Sequence, residues 1–158
     1  MRYYKYLITL AVGLLLELVI AVFSCLLIKE NGEWLRSLVL PYFAPKSFLF
    51  YGGMMITIYL SSASALACYV RSFSDLPKGI LLTLFEGISE IVTLLFFFEF
   101  TYEITSFFFG TATMILSLAN TAIFLSKSDR AGIVRLPNFI VKLYLWTILY
   151  CILSLNFA

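Results

Sequence analysis

Five apolar runs, each long enough to cross a lipid bilayer, leave this chain few ways to fold. A spanning helix needs about 20 apolar residues, because a hydrocarbon core of about 30 Å is climbed at 1.5 Å per residue. Residues 7–28, 48–70, 79–98, 104–125 and 137–158 meet that requirement. The runs are continuous rather than alternating and about twice as long as a barrel strand, which predicts helices and not a β-barrel. A helix satisfies its own backbone donors and acceptors in lipid, so adjacent spans gather into a bundle. The expected class is an all-α integral membrane protein, a five-helix bundle in which residues 1–158 form one transmembrane domain.

Composition agrees and closes other routes. Hydrophobic residues make up 62% of the 158 positions and charged residues 13%, against about 25% charged in a soluble domain. The chain lacks the polar surface that a soluble enzyme would need. It contains no histidine, which removes imidazole-based zinc chemistry, haem ligation through imidazole and Ser-His-Asp catalysis. Cys25, Cys68 and Cys151 lie within apolar runs, have no metal-ligand spacing and read as small core side chains. A net charge of +2, without a basic stretch or a Gly-rich phosphate loop, argues against a nucleic-acid partner. No nucleophile–base pair is visible, and neither an enzyme nor a resident cofactor or metal is expected.

The connections between the runs differ in character. Residues 29–47 form the one long loop and carry Trp34, Pro41 and Pro45. Residues 71–78 are short and polar, with Pro77 opening the third span; 99–103 make a minimal turn. Residues 126–136 read as a basic loop, with Pro137 opening the last span. With the N-terminus on side A, that side holds Arg2, Lys5, Arg71, Lys78, Lys127, Arg130 and Arg135, and side B holds Lys29, Arg36 and Lys46. Seven against three predicts a cytoplasmic N-terminus and an outer C-terminus if the chain sits in a plasma membrane, and a bacterial plasma membrane is the expected setting. Val22-Phe23-Ser24-Cys25 has the outline of a lipoprotein cleavage site, but Phe23 is too bulky for it and Glu17 interrupts the apolar run.

Ionisable residues inside a span are costly and mark candidate functional sites. Glu17 and Glu90 fall about 15–17 Å into their spans, and Glu86 and Lys142 about 8–11 Å from the same face. Glu86 and Glu90 stand four apart and share a helix face, which must turn to the bundle interior or a wet cavity. Lys142 either pairs with Glu86 or snorkels to the headgroups. Glu17 fits best as a neutral carboxylic acid joining helices. The small residues Ser61, Ser62, Ala63, Ser64, Ala65 and Ala67 allow close helix approach, within the bundle or across a homodimer. Phe96-Phe97-Phe98, Phe107-Phe108-Phe109, and Tyr3, Tyr4 and Tyr6 read as aromatic belts at the two interfaces.

The loop carries a resemblance. Trp34, Leu38, Pro41 and Pro45 make W-x3-L-x2-P-x3-P, followed by Phe48, Phe50 and Tyr59. The last span has Pro137, Tyr144, Leu155 and Asn156, with nineteen positions from Pro137 to Asn156. This pattern resembles the translocator protein / tryptophan-rich sensory protein (TspO/MBR) family across nearly the whole chain. Leu35 and Lys46 depart from it, as do Glu86 and Glu90, which stand where the family carries neutral polar residues. The resemblance implies a receptor or carrier whose pocket takes a flat hydrophobic molecule, a porphyrin or a sterol-like lipid. The porphyrin breakdown associated with bacterial members is not carried over, since only Trp34 and Trp146 are present.

Prolines at 41 and 45 stiffen the loop, and Trp34 suits the headgroup level. With the motif spacing, these residues predict a lid over the side-B mouth of the bundle rather than a simple interface anchor. The candidate ligand site is Trp34, Pro41, Pro45, Phe50 and Met54 as lid and wall, Glu86 and Glu90 as polar floor, and Val141 and Tyr144 from the last span. The acidic floor favours a cationic or amine-bearing ligand over an anionic tetrapyrrole. Two other classes compete: a proton-coupled small-molecule transporter and a non-catalytic subunit of a membrane complex.

Overall fold

The computed structural model describes residues 2–72, 76–100 and 102–157, and the regular structure among them is entirely helical. The helices are α1 (Arg2–Glu30), the short α2 (Gly32–Ser37), α3 (Phe48–Ser72), α4 (Leu76–Phe98), α5 (Glu103–Lys127) and α6 (Asp129–Asn156). All but α2 contain a stretch long and apolar enough to cross a membrane. The chain is therefore read as a multi-pass integral membrane protein. The side chains of Tyr3, Tyr6, Arg71 and Pro77, to which the sequence assigned belt, charge and capping roles, lie outside the described residues.

The five long helices close a ring in the spatial order α1, α3, α6, α5, α4, with α4 returning against α1. Their directions alternate, so α2, its flanking loop and the end of α6 meet at one mouth. Lipid inverts the usual burial rule: apolar side chains face outward, and small or polar ones let helices approach and bond. In α5 the buried positions are Ser106, Gly110, Thr113, Ser117, Asn120, Thr121 and Phe124, a stripe at three- and four-residue spacing that is almost wholly small or polar. Outward lie Phe108, Ile115 and Leu118, all more than half exposed.

The basic loop expected at 126–136 is not a loop. α6 begins at Asp129, and Ser128 alone separates it from α5. Ser128 caps α6, its hydroxyl accepting from the Ala131 amide at 3.4 Å, and Asp129 sits favourably in the first turn. The tight reversal requires Gly132, because a Cβ there would stand 2.5 Å from the Leu125 Cα. Pro137 consequently lies inside α6 rather than at its start. The Ser61 hydroxyl of α3 packs beside Pro137, donating to the Val134 carbonyl at 2.6 Å and accepting from the Asn138 amide at 3.2 Å. Those two groups are the acceptor and donor of one i→i−4 rung, so a side chain of α3 bonds both ends of that rung beside the proline.

Two apolar clusters occupy the interior. One, toward the α2 mouth, is built on Tyr51, Met55, Phe97, Phe98, Ile148 and Ile152; the other, toward the opposite end, on Leu66, Tyr69, Phe124 and Ala131. Phe97 and Phe98 are thus core residues rather than belt residues, whereas Phe108 remains exposed. Between the clusters lies a layer of buried charged and amide side chains.

Candidate functional site

Glu86 is the centre of that layer. It is 1% exposed, and both of its oxygens are claimed. Oε2 accepts from Arg135 Nη2 at 2.5 Å and from Asn120 Nδ2 at 2.6 Å; Oε1 accepts from Lys142 Nζ at 2.6 Å. Lys142 also reaches Glu90 Oε2 at 3.0 Å. Arg135 extends Nη1 to the Ser62 hydroxyl at 3.3 Å, and its guanidinium lies 4.7 Å from the centre of the Phe124 ring. Asn138 ties α6 to α3 through Ser62 at 3.1 Å and accepts from Ser117 of α5 at 3.3 Å. A buried carboxylate persists in low dielectric only when paired and fully hydrogen-bonded, and Glu86 meets both conditions.

Lys142 therefore pairs with both glutamates and does not snorkel. Arg135, counted from sequence as a loop charge, is fully buried on the same α6 face, a consequence of α6 starting at Asp129. Arg135, Asn138 and Lys142 follow one another at three and four residues and so share a helix face. That spacing was readable in the sequence once the helix is extended before Pro137.

A cavity of about 120 Å³ lies between this layer and the α2 mouth, inside the ring. Its walls are apolar, from Met55, Leu94, Met114, Leu145, Trp146 and Leu149 among others, and Leu35 of α2 forms part of its roof. Glu90 and Lys142 stand at its inner end, and the Thr93 and Thr113 hydroxyls line one side. Glu90 differs from Glu86 in accepting from Lys142 alone among the described residues. The Tyr51 hydroxyl, on a residue 7% exposed that also lines the cavity, has no hydrogen-bond partner among the described residues.

The loop folds over the mouth and is fastened at several points. Trp34 packs edge-on against Phe97 and Phe98, with ring centres 5.0 and 5.8 Å away. Tyr144 donates its hydroxyl to the Phe43 carbonyl at 2.6 Å. Asn156 grips Val39 with a two-point clasp, its Oδ1 accepting from the Val39 amide at 2.8 Å and its Nδ2 donating to the Val39 carbonyl at 3.0 Å. Pro41 is buried and Pro45 half-buried where the chain turns back to α3, and the Ala44 amide donates to the Pro41 carbonyl between them.

Of the nine residues of the candidate ligand site, only Glu90 lines the large cavity directly. Glu86 sits one turn deeper and lines a smaller space behind it. Trp34, Pro41, Pro45 and Tyr144 hold the lid, and Val141 packs in the apolar cluster beside it. Phe50 is 66% exposed on the outer face of α3, and Met54 is replaced in the wall by its neighbour Met55. Both placements follow from helical phase: Tyr51 and Met55 stand four apart on the inward face, and 50 and 54 are rotated off it. Trp146, whose indole donates to Thr111 at 3.1 Å, and Tyr51 were not anticipated. No protein-family model matches the chain, and no curated protein matches it in sequence.

Proposed function

We propose that this protein is a membrane receptor or carrier for a small hydrophobic molecule that ends in an amine or another organic cation. The observation that carries the reading is Glu90, a carboxylate with unused acceptor capacity at the inner end of an otherwise apolar cavity. Pockets for small molecules combine apolar walls with a few placed polar groups, and Glu90 and the unpartnered Tyr51 hydroxyl are such groups here. A volume of about 120 Å³ suits a molecule of about one aromatic ring, the scale on which a dry cavity of about 150 Å³ holds benzene. A porphyrin or a sterol, the ligands implied by the resemblance, would leave most of its body outside that volume. Kinship with the TspO/MBR family belongs to this proposal, as does a plasma-membrane setting with the N-terminus cytoplasmic. With Arg135 removed from the loop charges, six basic residues on side A still face three on side B.

The test is binding of phenethylammonium to the full chain in nanodiscs. Saturable binding is expected, with a Glu90→Gln variant weaker by about ten- to a hundredfold, the range for losing a charged hydrogen-bond partner. Equal affinity of the variant, or saturable quenching by protoporphyrin with no amine binding, would overturn the reading. Tyr51→Phe is expected to leave thermal stability unchanged or slightly raised, because it deletes a buried hydroxyl that bonds none of the described residues. The same variant should weaken binding of a ligand carrying an acceptor at its far end, such as 4-methoxyphenethylammonium, relative to the unsubstituted amine.

A second reading, a proton-coupled exporter of hydrophobic cations, is favoured by the placement of three carboxylates within the membrane. Substrate-dependent proton movement in proteoliposomes that disappears with Glu90→Gln would select it over passive binding.

A further inference from the structure

The buried layer holds three carboxylates, Glu17, Glu86 and Glu90, against two cations, Arg135 and Lys142. Arg135 and Lys142 are committed to Glu86 and Glu90. Glu17 of α1 is 9% exposed and has no hydrogen-bond partner among the described residues. It borders a second cavity of about 10 Å³, the size of a single water, shared with Glu86, Glu90, Lys142, Tyr59 and Ser62. The ionisable groups facing Glu17 are therefore Tyr59 from α3, Glu86 and Glu90 from α4 and Lys142 from α6, with Arg135 behind Glu86. Lys142 and Glu90 line both cavities and form part of the partition between them. An unmatched charge in the bilayer is costly, and the layer is neutral when Glu17 holds one proton.

We infer that Lys142 is an exchangeable internal cation: a ligand amine in the large cavity replaces it on Glu90, and Lys142 turns to Glu17, whose proton is released. The inference rests on the amine reading of the cavity. The Lys142–Glu86 pair at 2.6 Å is kept through the exchange and serves as the pivot. Lys142 Nζ retains its three protons and trades Glu90 Oε2 for a Glu17 oxygen. The Glu17 O–H bond breaks, its electron pair stays on the carboxylate, and the proton leaves to bulk water. Before the exchange two carboxylates balance two cations; after it three carboxylates balance two cations and the ligand. One positive charge enters for each proton that leaves, which is the stoichiometry of an antiporter half-reaction.

The test is calorimetric titration of the full chain in nanodiscs with phenethylammonium near pH 7, in phosphate and in Tris buffer. The probe stays cationic there, so the buffer dependence of the enthalpy counts protons lost by the protein. About one proton released per amine bound is expected, with affinity rising toward tenfold per pH unit. Glu17→Gln should abolish the release. Amine binding without proton release in the native protein overturns the exchange and leaves the amine site standing, as does release that persists in Glu17→Gln. Absence of amine binding overturns the site and the exchange together. The native titration decides the matter even if Glu17→Gln does not fold.

Discussion

Replacing Arg135 by Met is expected to destabilise the bundle by about 3–5 kcal/mol, the scale for breaking a buried ion pair by removing one partner. Arg135 is fully buried, and its guanidinium serves Glu86 and Ser62 at once while stacked on Phe124. Without it Glu86 Oε2 keeps only the neutral Asn120 amide, and the layer gains an uncompensated negative charge. Lysine is not a substitute, because a point charge cannot reproduce the fork that reaches both partners. The measurement is the unfolding midpoint in mild detergent, read by tryptophan fluorescence. Arg135→Met combined with Glu86→Gln should lose less than the sum of the single losses, since the orphaned charge is removed along with its partner. Losses that add within about 0.5 kcal/mol would mean the two side chains act independently.

The contrast between Arg135 and Glu90 marks where sequence reasoning succeeded and where it stopped. Five apolar runs are a strong signal because lipid admits only self-satisfied backbones, and a helix formed on each, although α6 starts eight residues before its run. The pairing of Glu86 with Glu90 on an inward face was equally legible, since a four-residue spacing leaves no freedom. Pro137 misled because proline ordinarily opens a helix, and in this chain a side chain from another helix makes an interior position tolerable. A helix that starts at Pro137 leaves Arg135 in a loop and separates it from Glu86, whose site it completes. Phase was the other weakness. One residue is about 100° of rotation, which separates Tyr51 and Met55 on the cavity wall from exposed Phe50 and half-buried Met54. The lid was read through Trp34 and the prolines, yet Asn156 and Tyr144 do the fastening from more than 100 residues away. Such a contact leaves no local mark in a sequence.

The proline site leads to the second large effect. Ser61→Ala is expected to cost about 2–4 kcal/mol, because it leaves two buried backbone groups, the Val134 carbonyl and the Asn138 amide, without the hydroxyl that joins them. In water such groups would find solvent; within the membrane they find none. The Pro137 ring opposes an easy repair, since it crowds the Ile133 carbonyl four residues back and hinders the helix from tightening at the adjacent Val134–Asn138 rung. This gives the prediction a sign that ordinary packing would not have. Pro137→Ala in the Ser61→Ala background should recover much of the loss by letting the Val134–Asn138 bond close. A packing defect at Ser61 would instead be insensitive to residue 137, and the two substitutions would simply add. Ser61→Thr, which keeps the hydroxyl, should hold most of the native stability. Because Asn138 is also bonded to Ser62 and Ser117, an opened ladder would disturb the side chain between Arg135 and Lys142 on α6. Loss of Ser61 should then weaken amine binding at Glu90, although Ser61 does not line the cavity. Recovery of both stability and binding on restoring the ladder through Pro137→Ala would tie the geometry of the charged layer to one hydroxyl on a neighbouring helix.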